Sequence, residues 1–304
     1  MRKSLDGAGR WEYDRKNASG VRALETRTVD LYEHFGAAGR GGPGGRLTAW
    51  TTRTPAGVST QRRRPGVLIL PGGGYEHISQ RESEPVALRF AARGWVPFVL
   101  EYSVAPARFP VQLREAALAM RYIRENAGEF EIDPGAVAAV GFSAGGHLCG
   151  TLGTLFDSAE VSDIAPAPVL RPDALGLCYS VAVSWGETHT ASFENLTGGD
   201  GELARRLSLD GLVRSDMPPV FLWGTRDDGS VPCRNSILLA EALDKAGVDF
   251  AFHLYRHGKH GLSTADAMAF PAHDLPRVSW DVPGWVEAMV AFFAESGLVI
   301  RDEG

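Results

Sequence analysis

Between residues 66 and 70 the chain reads Gly-Val-Leu-Ile-Leu with no polar break, then meets Pro71-Gly72-Gly73-Gly74. A short apolar run bounded by glycine and proline predicts a strand buried on both faces, as in a parallel sheet. Upstream the pattern differs. Residues 29–32 and 47–52 alternate apolar and polar side chains, which predicts half-exposed antiparallel strands at one edge of a sheet. The glycine-rich stretch 36–45 between them reads as a flexible loop, and Arg62-Arg63-Arg64 as a solvated one.

Downstream, helical and strand patterns alternate. Ser83 stands where an N-cap is expected, with Pro85 in the first turn of a helix over 84–93 that ends before Gly94. A strand is predicted over 95–102. A helix follows over 110–126, with Leu113, Ala117, Met120 and Ile123 spaced for one buried face. Residues 136–141 predict another buried strand, followed at once by a helix from Ser143. Further strands are predicted at 175–183, 220–224 and 250–255. A helix over 235–246 stops at Gly247, and a last helix covers 286–294. This order predicts an α/β fold: one mostly parallel central sheet with helices on both faces and an antiparallel N-terminal start. One domain over 1–304 is expected, with 1–46 as an N-terminal extension carrying an edge strand. The weakly periodic stretch 185–217 is a candidate cap insertion.

Composition narrows the class. The chain has 304 residues, 44% of them hydrophobic, and a net charge of −6. That is an ordinary globular balance, and a chain of this length needs no metal or disulfide to fold. Residues 1–64 carry 13 Lys/Arg against 6 Asp/Glu and the remainder 18 against 31, so a basic leading segment precedes an acidic body. No aromatic-interleaved basic helix face argues for nucleic acid. Cys149, Cys178 and Cys233 form no C-x-x-C pair, which fits a reducing compartment. With no apolar stretch of membrane length and no leader pattern, the expectation is a cytoplasmic protein without membrane contact, in which the sequons at Asn17 and Asn195 carry no meaning.

Four segments carry chemistry. Gly141-Phe142-Ser143-Ala144-Gly145 lies between an apolar strand and a helix, the setting of a nucleophile elbow, in which a tight turn exposes the serine hydroxyl and small neighbours avoid collision. Pro71-Gly72-Gly73-Gly74-Tyr75 follows a buried strand. Its glycines let backbone N–H groups approach a developing oxyanion, so Gly73 and Gly74, with Ala144, are the candidate donors. It lacks the G-x-G-x-x-G and Lys-Ser/Thr signatures of phosphate loops. Arg226-Asp227-Asp228-Gly229-Ser230-Val231-Pro232 offers two acids; Asp228, three residues before Val-Pro, is the candidate partner for a histidine, and Asp227 a turn or capping residue. His257-Gly258-Lys259-His260-Gly261-Leu262 offers two bases, of which His260 is the candidate. His257 is expected on the loop surface and His147 in a local packing role. His257 and His260 lack a helix, an intervening glutamate and a third ligand, so a metal site is not predicted. Ser143, Asp228 and His260 stand in the Ser…Asp…His order of the α/β-hydrolase fold.

With those motifs, joined by Ser83-Glu84-Pro85-Val86-Ala87, Gly146-His147-Leu148 and Pro218-Pro219-Val220-Phe221-Leu222-Trp223, the chain resembles the acetyl esterase/lipase family of α/β-hydrolases, including acetylxylan-esterase-like enzymes, over about residues 66–261. Pro71 stands where related lipases carry a histidine, which places the chain nearer the carbohydrate-esterase branch. The resemblance implies serine acyl transfer on a short, acetyl ester of a sugar or small alcohol, with no cofactor and a small-molecule ester as partner; a homodimer is compatible with it. Tyr75, Trp185, His189 and Phe193 are candidate substrate-binding residues. Two other readings stand beside it: an amidase, such as a kynurenine-formamidase-like enzyme, using the same triad, and a non-catalytic binding protein of the same fold.

Overall fold

Each apolar run of the sequence becomes a strand that has a helix layer on either side. The computed structural model of the chain describes residues 4–5, 11–12, 24–36, 42–51 and 61–303. The expectations for Asn17, residues 37–41 of the glycine loop and Thr52 lie outside them. Strands β1 (Ser4–Leu5) and β2 (Trp11–Glu12) form a small antiparallel pair. The main sheet contains β3 (Glu25–Asp30), β4 (Arg46–Thr51), β5 (Gln61–Leu70), β6 (Val96–Glu101), β7 (Ile132–Phe142), β8 (Ala174–Cys178), β9 (Val220–Thr225) and β10 (Phe250–Tyr255). Their spatial order is β10-β9-β8-β7-β5-β6-β4-β3. Neighbours from β10 to β6 run parallel, whereas β4 is antiparallel to both β6 and β3. The predicted α/β architecture with its antiparallel start is the one observed.

The connections cover both faces. Between β3 and β7 they supply α1 (Leu31–Phe35), α2 (Glu84–Ala91) and α3 (Val111–Glu125). After β7 come α4 (Ala144–Leu155), α5 (Ala167–Leu170), α6 (Thr190–Thr197), α7 (Gly201–Arg206), α8 (Leu209–Leu212), α9 (Arg234–Ala246) and α10 (Trp285–Glu295). Strand β5 shows the division. Leu68 and Leu70 belong to one apolar cluster with Leu113 and Met120 of α3, Leu148 of α4 and Leu239 of α9, while Val67 and Ile69 belong to another with Phe90 of α2 and Trp285 and Met289 of α10. All four β5 residues are fully buried, each contributing about 1.5–3 kcal/mol. Among the described residues no helix is long and apolar enough to cross a membrane.

Three local expectations change. Leu31 and Tyr32, read as strand, open α1, because the Asp30 carboxylate accepts the N–H groups of Tyr32 and Glu33 at 3.0 and 3.2 Å and caps a helix there. The arginine run is strand, not loop: β11 (Arg301–Glu303), from the chain's far end, pairs antiparallel with residues 61–63, and Arg64 pairs with Ile132. Arg64 is accordingly buried and donates to the Phe130 carbonyl at 3.2 Å. The strand predicted to reach residue 183 stops at Cys178. The Ser143 N–H takes the Cys178 carbonyl at 3.0 Å, and Val181 N–H turns back to the Ser143 carbonyl at 3.1 Å.

Helix α4 lies against the strand ends more closely than side chains allow. A Cβ on Gly145 would overlap the carbonyl oxygens of Leu70 and Pro71, and one on Gly141 would overlap the carbonyl of Gly145. These obstacles are backbone and cannot swing aside. Gly145→Ala is therefore expected to destabilise the fold at or above the upper end of the about 1–3 kcal/mol typical of overpacking, read as a lowered urea midpoint at unchanged slope.

Candidate active site

Strand β7 delivers its last residues to the centre of the sheet's C-terminal edge, where the chain must reverse into α4. Ser143 takes up the reversal at φ +53° and ψ −119°, a conformation that costs about 1–3 kcal/mol and persists because its N–H and carbonyl are both held by the β8 end. Its hydroxyl is turned toward the loop after β10. There His260 Nε2 lies 2.8 Å from Ser143 Oγ, and His260 Nδ1 lies 2.7 Å from Asp228 Oδ2.

Asp228 comes from the turn after β9. Its carboxylate is nearly inaccessible, and its other oxygen accepts the N–H groups of Ser230 and Val231, both at 2.9 Å. A carboxylate so held accepts a hydrogen bond from His260 Nδ1–H, which leaves Nε2 free to accept from the serine hydroxyl. The adjacent acid does something else. Asp227 accepts Gly258 N–H at 2.6 Å and pairs with His257 Nδ1 at 3.0 Å, and the His257 hydrogen bond is the largest cause of a lowered Asp227 pKa.

The glycine loop after β5 stands opposite. Gly73 has φ +122°, and a Cβ there would overlap the His77 carbonyl; Gly74 has φ +65°. The loop's carbonyls are engaged by Glu76 and Ser79 N–H groups at 2.9 and 3.0 Å and by Asn195 Nδ2 at 2.9 Å. Among the described residues, the N–H groups of Gly73, Gly74 and Ala144 donate to no protein acceptor. Ala144 is also the first residue of α4, so the helix dipole adds to its N–H.

Ser143, His260, Gly73 and Gly74 border a cavity of about 270 Å³ together with Glu76, His77, Ser79, Arg81, Glu82 and Ser230. A larger hollow, of about 450 Å³ by Arg63, Asp133 and Arg301, lies at the opposite end of the strands, far from Ser143. Of the four residues expected on the substrate wall, only His189 borders the cavity, with its Nδ1 2.8 Å from Ser192 Oγ. Tyr75 is 1% exposed beneath the loop, Phe193 is buried edge-on against His147, and Trp185 is half exposed with its indole N–H on Asp210 at 3.0 Å. Residues 185–217 carry α6, α7 and α8 and reach the site through His189 and Asn195. Sequence reasoning missed Glu82, Tyr179 and Asn195. Nothing in the polarity pattern separates Glu82 from a surface glutamate, and Tyr179 falls inside the strand predicted over 175–183.

Two family profiles match the chain: BD-FAE over residues 55–167 and the prolyl oligopeptidase family over residues 114–275. The chain is 37% identical over 214 residues to endo-1,4-beta-xylanase B of Butyrivibrio fibrisolvens, covering 67% of this chain and 33% of that protein. It is 29% identical over 234 residues to an acetylxylan esterase of Xylanibacter ruminicola, covering 74% of this chain and 46% of that protein. It thus spans a third to a half of these curated relatives. Among solved structures, it resembles the acetyl ester-xyloside bifunctional hydrolase of Caldicellulosiruptor lactoaceticus with a TM-score of 0.77 and 34% identity, covering 90% of this chain and 97% of that one. The carboxylesterase Cest-2923 of Lactobacillus plantarum gives 0.77 and 26%, covering 91% and 99%. The chain belongs to the α/β-hydrolase superfamily, in its acetyl esterase/lipase family.

Behind Ser143, His147 joins three parts of the site. It lies on α4, its Nδ1 is 2.8 Å from Tyr75 Oη of the glycine loop, and its Nε2 is 2.7 Å from the Leu207 carbonyl beside α7. The carbonyl fixes the proton on Nε2, so Nδ1 accepts from the tyrosine. Full burial pushes the imidazole down from 6.5 to about 4. An unfolded chain takes up this proton below 6.5 and the folded one only near 4, so the histidine's contribution to stability is lost as pH falls between those values. The loss amounts to about 3 kcal/mol. Urea unfolding at pH 7 and pH 4.5 should show a markedly smaller decline for His147→Gln than for the parent chain.

Proposed function

We propose that the protein is a serine carboxylesterase that removes short acyl groups, acetyl foremost, from esters of sugars or other small polar alcohols. The observation that carries the reading is the unbroken line Ser143 Oγ, His260 and Asp228 Oδ2, with steps of 2.8 and 2.7 Å, set beside backbone N–H groups that have no protein acceptor among the described residues. In this reading His260 Nε2 takes the hydroxyl proton as Ser143 Oγ attacks the ester carbonyl. Asp228 stabilises the imidazolium, and the oxyanion rests on the N–H groups of Gly73, Gly74 and Ala144, each donor contributing about 3 kcal/mol to the transition state. His260 then protonates the departing alkoxide. Water, activated by the same nitrogen, releases the acid from the acyl-enzyme. No cofactor takes part.

The small cavity supports a short acyl group, and its polar lining of Glu76, His77, Ser79, Arg81 and Ser230 supports a polar alcohol. The similarity to a protein named acetylxylan esterase and to one named acetyl ester-xyloside hydrolase favours acetylated oligosaccharides. Residues 185–217 serve as the cap over the cavity, His189 forming part of its wall.

The deciding experiment measures acid release from acetyl, butyryl and octanoyl esters, acetylated xylo-oligosaccharides and N-formylkynurenine. Acetyl esters should be preferred. Ser143→Ala should abolish turnover with folding intact, and Asp228→Asn should lower kcat by about 10⁴-fold. Cleavage of the formamide alone would replace the reading with an amidase, and undiminished activity in Ser143→Ala would remove it.

A further inference from the structure

Glu82 takes no part in the steps above, although it borders the cavity that contains Ser143 and His260. It ends the 3₁₀ turn Gln80–Glu82 after the glycine loop and is 3% exposed. A glutamate stays buried only when its oxygens are satisfied, and here the partners are not cations. Oε2 accepts the Gly72 N–H at 2.8 Å. Oε1 lies 2.7 Å from the Tyr179 hydroxyl, whose oxygen already accepts the Ser263 N–H at 2.9 Å, so the tyrosine proton points to the carboxylate. Both oxygens therefore accept, as those of an ionised carboxylate do.

Each bond reaches a different half of the proposed machinery. Gly72 immediately precedes the donors Gly73 and Gly74. Ser263 follows His260 in the same loop, and the Tyr179 ring meets the His260 imidazole edge to face at 5.2 Å. Carboxylate and nucleophile flank one missing side chain: the point where a Gly72 Cβ would stand is 2.8 Å from Glu82 Oε2 and 2.9 Å from Ser143 Cβ. We infer that Glu82 is a positioning residue for acyl transfer, its carboxylate holding the oxyanion loop and, through Tyr179, the His260 loop in mutual register. The inference rests on the serine-esterase reading. The substitution Glu82→Gln would keep the shape but present an amide N–H₂ to a group that also donates, releasing one half of the tie.

The test compares the parent enzyme, Glu82→Gln, Tyr179→Phe and the double variant on 4-nitrophenyl acetate, with Ser143 sites counted by a fluorophosphonate and Tm recorded. Glu82→Gln should lose about 10- to 100-fold in kcat per labelled site, with KM within about 3-fold of the parent and all sites still labelled. Tyr179→Phe, which keeps the ring on His260 but cuts the link, should lose less. The double variant should match Glu82→Gln within about 2-fold, since both act on one tie. Unchanged kcat per labelled site, or a loss equal to the loss of labelled sites, overturns the inference. If Glu82→Gln does not fold, Tyr179→Phe decides: a fall of about 3-fold or more in kcat per site supports the inference, and none overturns it. A parent enzyme inactive on every ester removes the underlying reading and the inference with it, whereas an active parent matched by Glu82→Gln removes the inference alone.

Discussion

The site depends on one close approach, that of the first turn of α4 to the ends of β5 and β7. Gly141 and Gly145 bring backbone against backbone where any Cβ would overlap a carbonyl, and the turn between them forces Ser143 into a conformation that an L residue rarely adopts. Such strain survives only when the surroundings over-determine it. Here β8 does so, accepting the Ser143 N–H at Cys178 and returning Val181 to the Ser143 carbonyl. The serine hydroxyl, the Ala144 N–H and the helix dipole are aimed by the same constraint.

A parallel sheet gives such a turn its neighbours. Every strand from β5 to β10 ends on the same edge, so the glycine loop after β5, the acid turn after β9 and the histidine loop after β10 meet there. What remains is to keep them in register, and the structure does this with buried polar links. His147 ties α4 to the glycine loop and to the segment beside α7, Asn195 ties α6 to Gly74, and Glu82 ties Gly72 to Tyr179 and thence to Ser263. The His147 and Glu82 links are buried, where an unmade hydrogen bond is costly and a made one is directional, and the Asn195 link is half-buried at the cavity.

Apart from the helix that Asp30 caps at Leu31 and Tyr32, the expectations that changed did so for one reason. Arg62-Arg63-Arg64 has the polarity of a loop, yet it is strand because β11, more than two hundred residues later, pairs with it. Residues 179–183 have the apolarity of a strand, yet they leave the ladder because the turn at Ser143 takes the Cys178 carbonyl. Tyr75 and Phe193, proposed for a pocket wall, pack beneath it against His147. Burial and pairing between distant segments are not encoded in local periodicity.

The amino-acid sequence by itself determined the element order, the doubly covered strands and the loops that carry chemistry, because hydrophobic period, glycine and proline act within a few residues. It singled out Ser143, Asp228 and His260 by their places after strands. Only the tertiary structure decided that Asp228 faces His260 while Asp227 faces His257, two adjacent carboxylates parted by the direction of one turn. It alone brought Glu82 to the site. A carboxylate's role is set by which donors surround it, and those donors come from segments that meet only when the chain is folded.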